Sequence, residues 1–128
     1  MSDITSVVLT DSDAIDHTFL PVSKGPSQCV WRAYGPSIPL LEEQVVVADL
    51  RRARSGKESS KAVVSLARPL VEQVDGVATV VGVDRVKCEF IISGAGDPVR
   101  RDRLKAMAQD MLSDAMVDEL VTELVLPL

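Results

Sequence analysis

Residues 84–92 read DRVKCEFII, and Val86, Cys88, Phe90 and Ile92 alternate there with Arg85, Lys87, Glu89 and Ile91. A period of two gives a strand one apolar face and one mostly charged face. That is the pattern of an antiparallel sheet with one side on a core and the other in water. Any fold this chain adopts must cover the first face and leave the second wet.

A second signal fixes the strand's neighbour. Asp75-Gly76 lies between the apolar runs 71–74 and 77–81. Asp-Gly accepts the positive φ angles of a two-residue turn and is a strong hairpin signal. The flanking segments should pair, bringing 84–92 beside 61–70. Further upstream, 43–52 reads EQVVVADLRR, with β-branched residues at 45–47 and a turn at Ser55-Gly56-Lys57. The middle of the chain is therefore expected to be an antiparallel meander of 44–54, 60–73 and 78–93, with Pro69 weakening the far end of its second strand. Alternation places Val46, Ala48 and Leu50 opposite Val45, Val47, Asp49 and Arg51. It likewise places Val64 and Leu66 opposite Val63, Ser65 and Ala67.

Before the meander, 6–10 and 17–22 read as an N-terminal hairpin turning at Asp11, Ser12 and Asp13. Pro21 cannot donate to a ladder and marks an edge position. The stretch 27–34 (SQCVWRAY) is a third strand, holding the only Trp, and Gly35, Pro36 and Pro39 make a loop after it. After the meander, Gly94-Ala95-Gly96 ends the sheet. Asp97-Pro98 is a helix cap followed by proline at the first helical position. Leu104, Met107, Ala108, Met111 and Ala115 recur at helical spacing, but continuing that face would expose Asp118, Glu119 and Thr122. The apolar set shifts instead to Met116, Val117, Leu120, Val121 and Leu124, with Ser113-Asp114 as a new cap. Two helices, 98–112 and 115–125, follow.

Strands followed by helices give an α+β fold, with the helices covering the Val86, Cys88, Phe90 and Ile92 face. Helices of this length span only about 22 and 16 Å, too little for a broad sheet. The mismatch suggests a dimer in which helices are exchanged onto the partner's sheet. The whole chain, 1–128, reads as one domain: hairpin 1–26, sheet 27–93 and helices 97–128. Its core must come from Val, Leu, Ile, Ala and Met, because aromatics make up only 3%. The absence of a targeting pattern and of an apolar run near 18 residues implies a soluble, cytosolic chain without a membrane partner.

Little in the sequence suggests catalysis. It has one histidine, His17, and no HExxH, GxSxG or phosphate loop after a strand. Ser93-Gly94-Ala95-Gly96 reads as turn glycines, and His17 as a surface or core histidine. Cys29 and Cys88 lack CxxC spacing and read as buried free thiols. The expectation is no enzyme activity, no metal and no cofactor.

Charge is distributed unevenly within the net −5. Residues 1–43 carry six acids and two bases, 44–68 six bases and two acids, and 106–128 five acids and no base. Three basic features stand out. Arg51, Arg52 and Arg54, with Lys57, are either a solvated hairpin tip or a phosphate contact. RRDRLK at 100–105 sets cations against the dipole of a helix start and reads as a surface helix face. The third is the wet sheet face, where Asp49, Arg51, Lys61, Ser65, Arg85, Lys87 and Glu89 would project together. It is either plain solvent-exposed surface or a platform offering donors to the bases and phosphates of a folded RNA.

This order of elements resembles the coat proteins of the small single-stranded RNA bacteriophages, the leviviruses. The local marks are CVWRAY, EQVVVADLRRARSGKESSKAVVSLARP, EFII and LKAMAQDML, and the likeness spans nearly the whole chain. The resemblance implies a structural protein that forms interlocked homodimers, with helices over the partner's sheet, and assembles into an icosahedral virion in the bacterial cytoplasm. It implies binding of a genomic single-stranded RNA hairpin on the inner sheet face, with repression of replicase translation. Arg51, Lys61, Ser65, Arg85, Lys87 and Glu89 fall where the family places RNA-facing side chains. Val74, Asp75, Gly76 and Val77 tip the loop that contacts other dimers, without the crosslinking cysteines of some relatives. The family's usual tyrosine on the last strand is Arg85 here, and Val63 and Ala67 interrupt its polar middle strand. A dimeric α+β module binding a small ligand or a protein is the alternative reading.

Overall fold

The computed structural model describes residues 5–33, 40–54, 59–93 and 97–124. Six strands form one antiparallel meander in sequence order: β1 (Val7–Thr10), β2 (Asp16–Lys24), β3 (Gln28–Ala33), β4 (Gln44–Arg51), β5 (Ser59–Val74) and β6 (Val77–Ser93). Two helices follow, α1 (Pro98–Leu112) and α2 (Ala115–Thr122). A single 3-10 turn, Leu40–Glu42, leads into β4. The α+β order is the one expected, and the turns at 35–39 and 55–57 and the glycines 94–96 lie outside the described residues.

The Asp75-Gly76 turn joins β5 to β6, with φ of 52° and 79° at its two positions and Val74 opposite Val77. Both central residues are left-handed, the twist that suits paired strands. β5 and β6 outrun β4, which pairs only from Val45↔Ala67 to Arg51↔Lys61. Beyond it they continue as a two-stranded ribbon, bulged where the register passes from Leu70↔Gly82 to Val71↔Val80. Pro69 does not weaken the strand as expected, because it lies where β4 no longer pairs alongside and no second ladder needs its missing N–H.

Pro21 lies at an edge position, as expected, although β2 as a whole is not an edge strand: β1 pairs with it up to Phe19, and β3 pairs with it from Leu20 onward. Pro21 sits past the end of β1 and next to a bulge between Pro21 and Ser23, a place that tolerates a missing donor. Asp11 closes the β1–β2 turn. Its Oδ1 accepts from the amides of Asp13 at 2.9 Å and Ile15 at 3.1 Å.

Caps delimit both helices as their sequences imply. Asp97 Oδ1 accepts from the Arg100 amide at 2.8 Å, ahead of Pro98. Asp114 Oδ1 accepts from the Met116 amide at 3.0 Å, and α2 ends at Thr122 with Glu123 as its C-cap.

The core is small. Phe19, Ala33 and Val46 are the buried hydrophobic residues among those described, with Val7, Trp31 and Leu66 packed around them. Cys29 and Cys88 are free thiols but half-buried, not buried, because the apolar face they share is only partly covered. The chain's own helices leave this face uncovered, in keeping with helices too short for so broad a sheet: neither contains a buried residue, and neither packs across its own sheet.

Candidate nucleic-acid interface

Directly opposed residues in an antiparallel ladder point to the same face, so the register decides which side chains meet. Arg51 opposes Lys61, which opposes Ile91; Asp49 opposes Val63, which opposes Glu89. Val47 opposes Ser65, which opposes Lys87, and Val45 opposes Ala67, which opposes Arg85. All six residues singled out from the sequence, Arg51, Lys61, Ser65, Arg85, Lys87 and Glu89, therefore share one face across β4, β5 and β6. Ser65 and Lys87 are direct neighbours, as are Arg51 and Lys61. From residue 85 to 91 the face runs about 20 Å along β6.

Glu89 is the hub of its charges. Its Oε1 lies 3.2 Å from Lys61 Nζ and its Oε2 4.0 Å from Lys87 Nζ. Gln28 Nε2 donates to Asp49 Oδ1 at 2.8 Å, tying β3 to β4 at the same end. Arg51 and Arg85 form no ion pair with any described residue, so their guanidinium donors stay available. The chemistry offered is a row of cations spaced by short apolar and hydroxyl side chains, suited to phosphate oxygens and to planar stacking by arginine.

The sequence reading missed one contributor. Arg32 opposes Val45 and so joins this face from β3, its Nη1 3.7 Å from Glu43 Oε2. Its alternation against Trp31 in CVWRAY was the available signal. Val45, Val47, Val63, Ala67 and Ile91 are the apolar members of the platform, with Ile91 beside Lys61.

The opposite face of the same strands is apolar and open. Val7, Trp31, Val64, Leu66, Val86 and Cys88 line a shallow groove there. At its far end lies a polar cluster. His17 Nε2 is 2.8 Å from Asp11 Oδ2, and Gln44 Nε2 is 3.5 Å from His17 Nδ1. The His17 hydrogen bond, then the Ile15 and Asp13 amides, hold the Asp11 carboxyl below its ordinary value. The cluster ties the β1–β2 turn to β4. Among the described residues no group of side chains has metal-ligand geometry, and no helix is long and apolar enough to cross a membrane.

The tip residues Val74, Asp75, Gly76 and Val77 stand at the end of the ribbon, far along the strands from the charged platform. Val74 and Val77 are exposed there, with Val80, Val81 and Val83 behind them.

A family model for the levivirus coat protein matches residues 2–127. Solved structures of similar fold include the virus-like particle of Beihai levi-like virus 21, with a TM-score of 0.86 and 20% identity over 99% of this chain and 98% of that one. The virus-like particle of bacteriophage ESE058 gives 0.85 and 18% over 99% and 100%. The protein capsid of bacteriophage GA gives 0.70 and 17% over 93% and 94%. At these identities the likeness is one of fold. No curated protein matches in sequence.

Proposed function

The chain belongs to the levivirus coat protein family, whose members are structural capsid proteins and not enzymes, and from that premise we propose that it dimerises, assembles into an icosahedral shell and holds genomic RNA on its charged sheet face. All of 1–128 acts as one coat-protein domain, residing in the virion after assembly in the host cytoplasm.

The observation that carries the dimer is unburied surface. The chain exposes 10040 Å², whereas a compact monomer of 13.8 kDa exposes about 6,600 Å². Exposed large apolar side chains lie on the open groove face, on the β5–β6 ribbon and on the helices, where Leu104, Met107, Met111 and Leu120 are exposed. At about 25 cal/mol per Å², leaving such area wet is costly. A second copy laying its α1 and α2 over the groove covers the groove and the helices at once. β6 supports the same arrangement. It is the last strand of the meander, 17 residues long, and its outer edge pairs with no described strand. Such an edge is a template for a strand from another chain.

The ribbon tip Val74, Asp75, Gly76 and Val77 meets neighbouring dimers. A two-stranded ribbon with exposed valines is only marginally stable by itself and gains order from such contacts. On the platform, Arg51, Lys61, Arg85 and Lys87 hold RNA phosphates, while Ser65 and Glu89 accept or donate to bases and fix the lysines. Binding of a particular hairpin there would also repress replicase translation.

Expression of the chain by itself tests the reading. Uniform particles in the electron microscope, with an absorbance excess at 260 nm, are expected. Small nucleic-acid-free dimers would instead point to a ligand- or protein-binding module.

A further inference from the structure

The two helices divide charge in a way their own fold does not use. α1 opens with Arg100, Arg101, Arg103 and Lys105, and has no acid in its first turn. Cations there oppose the positive end of the helix dipole. α2 carries Asp114 as its N-cap, Asp118 in its first turn, Glu119 and the C-cap Glu123, and has no base. Asp114 and Asp118 suit the positive end of its dipole, whereas Glu123 opposes the negative end. The first-turn bases of α1 and the C-terminal acids of α2 are therefore the charges that gain nothing from their own helices.

Ion pairing within the chain does not offset them: among the described residues no side chain of either helix forms an ion pair. Arg100 Nη2 donates to the Ser93 carbonyl at 2.8 Å, and Arg101 Nε to the Asp97 carbonyl at 3.4 Å. The bases flank an exposed apolar row, Leu104, Met107 and Met111, and the acids accompany exposed Met116, Leu120 and Val121. α1 carries four bases against Asp102 and Asp110, and α2 carries acids alone, so the two apolar strips lie beside opposite net charge.

We propose that a second copy of this chain supplies the missing counter-charges: the basic turns of α1 on one protomer pair with the acidic α2 of the other, reciprocally, and this pairing selects the helix register of the dimer. The inference rests on the dimer proposed above and adds what orients it. Charge complementarity of this kind contributes more to partner choice and register than to raw affinity. It also explains why the helices tolerate charges opposed to their own dipoles.

The test uses two full-length variants. In the acid variant, R101E and R103E leave α1 and α2 both acidic. In the base variant, E119K and E123K leave α1 basic and cancel the acidity of α2, where Asp114 and Asp118 remain. Each change improves the fit to its own helix dipole, so a pairing defect cannot be attributed to a lost helix, and circular dichroism verifies the helix content. The two variants are co-expressed with distinct tags, and dimers released from any particles are counted by native mass spectrometry. Indifferent pairing gives about half heterodimers. Pairing in trans enriches heterodimers to roughly nine-tenths at low salt, falling back toward half at about 1 M salt, where screening is within ~3 Å.

A statistical half at low salt overturns the inference while leaving the dimer intact, as does an excess of homodimers. A monomeric wild-type chain overturns the dimer reading itself. Statistical pairing together with loss of packaged RNA from acid-variant particles would assign the α1 bases to RNA instead.

Discussion

On one face of β5 and β6, Glu89 sits between Lys61 and Lys87, at 3.2 and 4.0 Å. On the other face of the same two strands, Val64 and Val86 stand 47% and 54% exposed. The strands are identical, but their two faces are completed differently. The charged face organises its own side chains and is content in water, where exposed ion pairs contribute only about 0–1 kcal/mol each. The apolar face has a closed portion around Phe19, Ala33 and Val46 and an open portion over β5 and β6. Hydration suits one face and penalises the other. The difference teaches where this protein expects another molecule: an apolar one on the groove, a charged one on the platform.

The sharpest way to break that comparison is Val86→Asp. Val86 is mostly solvated within one protomer, so aspartate costs the isolated sheet little. Beneath a partner's helices it would be an unpaired buried charge, costing several kcal/mol. Loss of dimers and of particles is expected by sedimentation and electron microscopy, with Val86→Ala still assembling. Normal particles from Val86→Asp would show that no partner covers this face.

On the charged face the effect should be smaller and should change with salt. Replacing Arg85 and Lys87 with Ala is expected to leave assembly intact and weaken RNA binding. The slope of log K against log salt should fall by about 1 for each phosphate that the variant no longer neutralises. An unchanged slope would remove these residues from the interface. The Lys61–Glu89 pair survives this substitution, so any weakening reads out Arg85 and Lys87 and not a collapse of the platform.

Which side chains alternate within each strand was legible before any coordinates, because period two is set by the pleat, and Asp75-Gly76 made β5 and β6 neighbours. Their register at the platform was not, because the bulge at Leu70/Val71 shifts it by one residue from the turn, which alone would set Ser65 against Val86 and not Lys87. The helix boundaries were legible for a similar reason: Asp97-Pro98 and Ser113-Asp114 satisfy orphan amides locally. What escaped was decided by distant neighbours. Pro69 is tolerated because an adjacent strand stops short, and no local pattern records where another strand ends. Arg32 escaped because its face is defined only once β3 pairs with β4. That the helices do not pack across their own sheet escaped for the same kind of reason: α+β order says that they follow the sheet, but not which surface they cover.

The ribbon beyond β4 exposes both faces, and there the backbone decides more than the side chains. Gly76 has φ of 79°, and an added Cβ would meet no atom within 4 Å. Gly76→Ala therefore strains the backbone without a clash, at a cost of about 1 kcal/mol. Particles should still form but melt at lower temperature, with the dimer's own denaturation little changed. Equal losses in both would mean that the ribbon belongs to the dimer and not to contacts between dimers.

Asp11 tests the one place where the apolar face ends in polar chemistry of its own. Its carboxylate accepts from the Asp13 and Ile15 amides and meets the His17 ring, contacts that hold its folded-state pKa below the unfolded value. A depressed carboxyl contributes stability that is fully present above the unfolded value and is lost as pH falls through the folded one. Asp11→Asn removes that contribution at neutral pH and has nothing left to lose in acid. The denaturation midpoints of wild type and variant should therefore differ most above about pH 5 and converge toward pH 2. The effect should be the smallest of those considered, because the half-buried carboxylate lies at a surface turn where solvent still screens its field. A constant gap across the whole range would mean that the turn depends on the shape of Asp11 and not on its charge, and that the His17 contact contributes nothing to joining β1–β2 to the sheet.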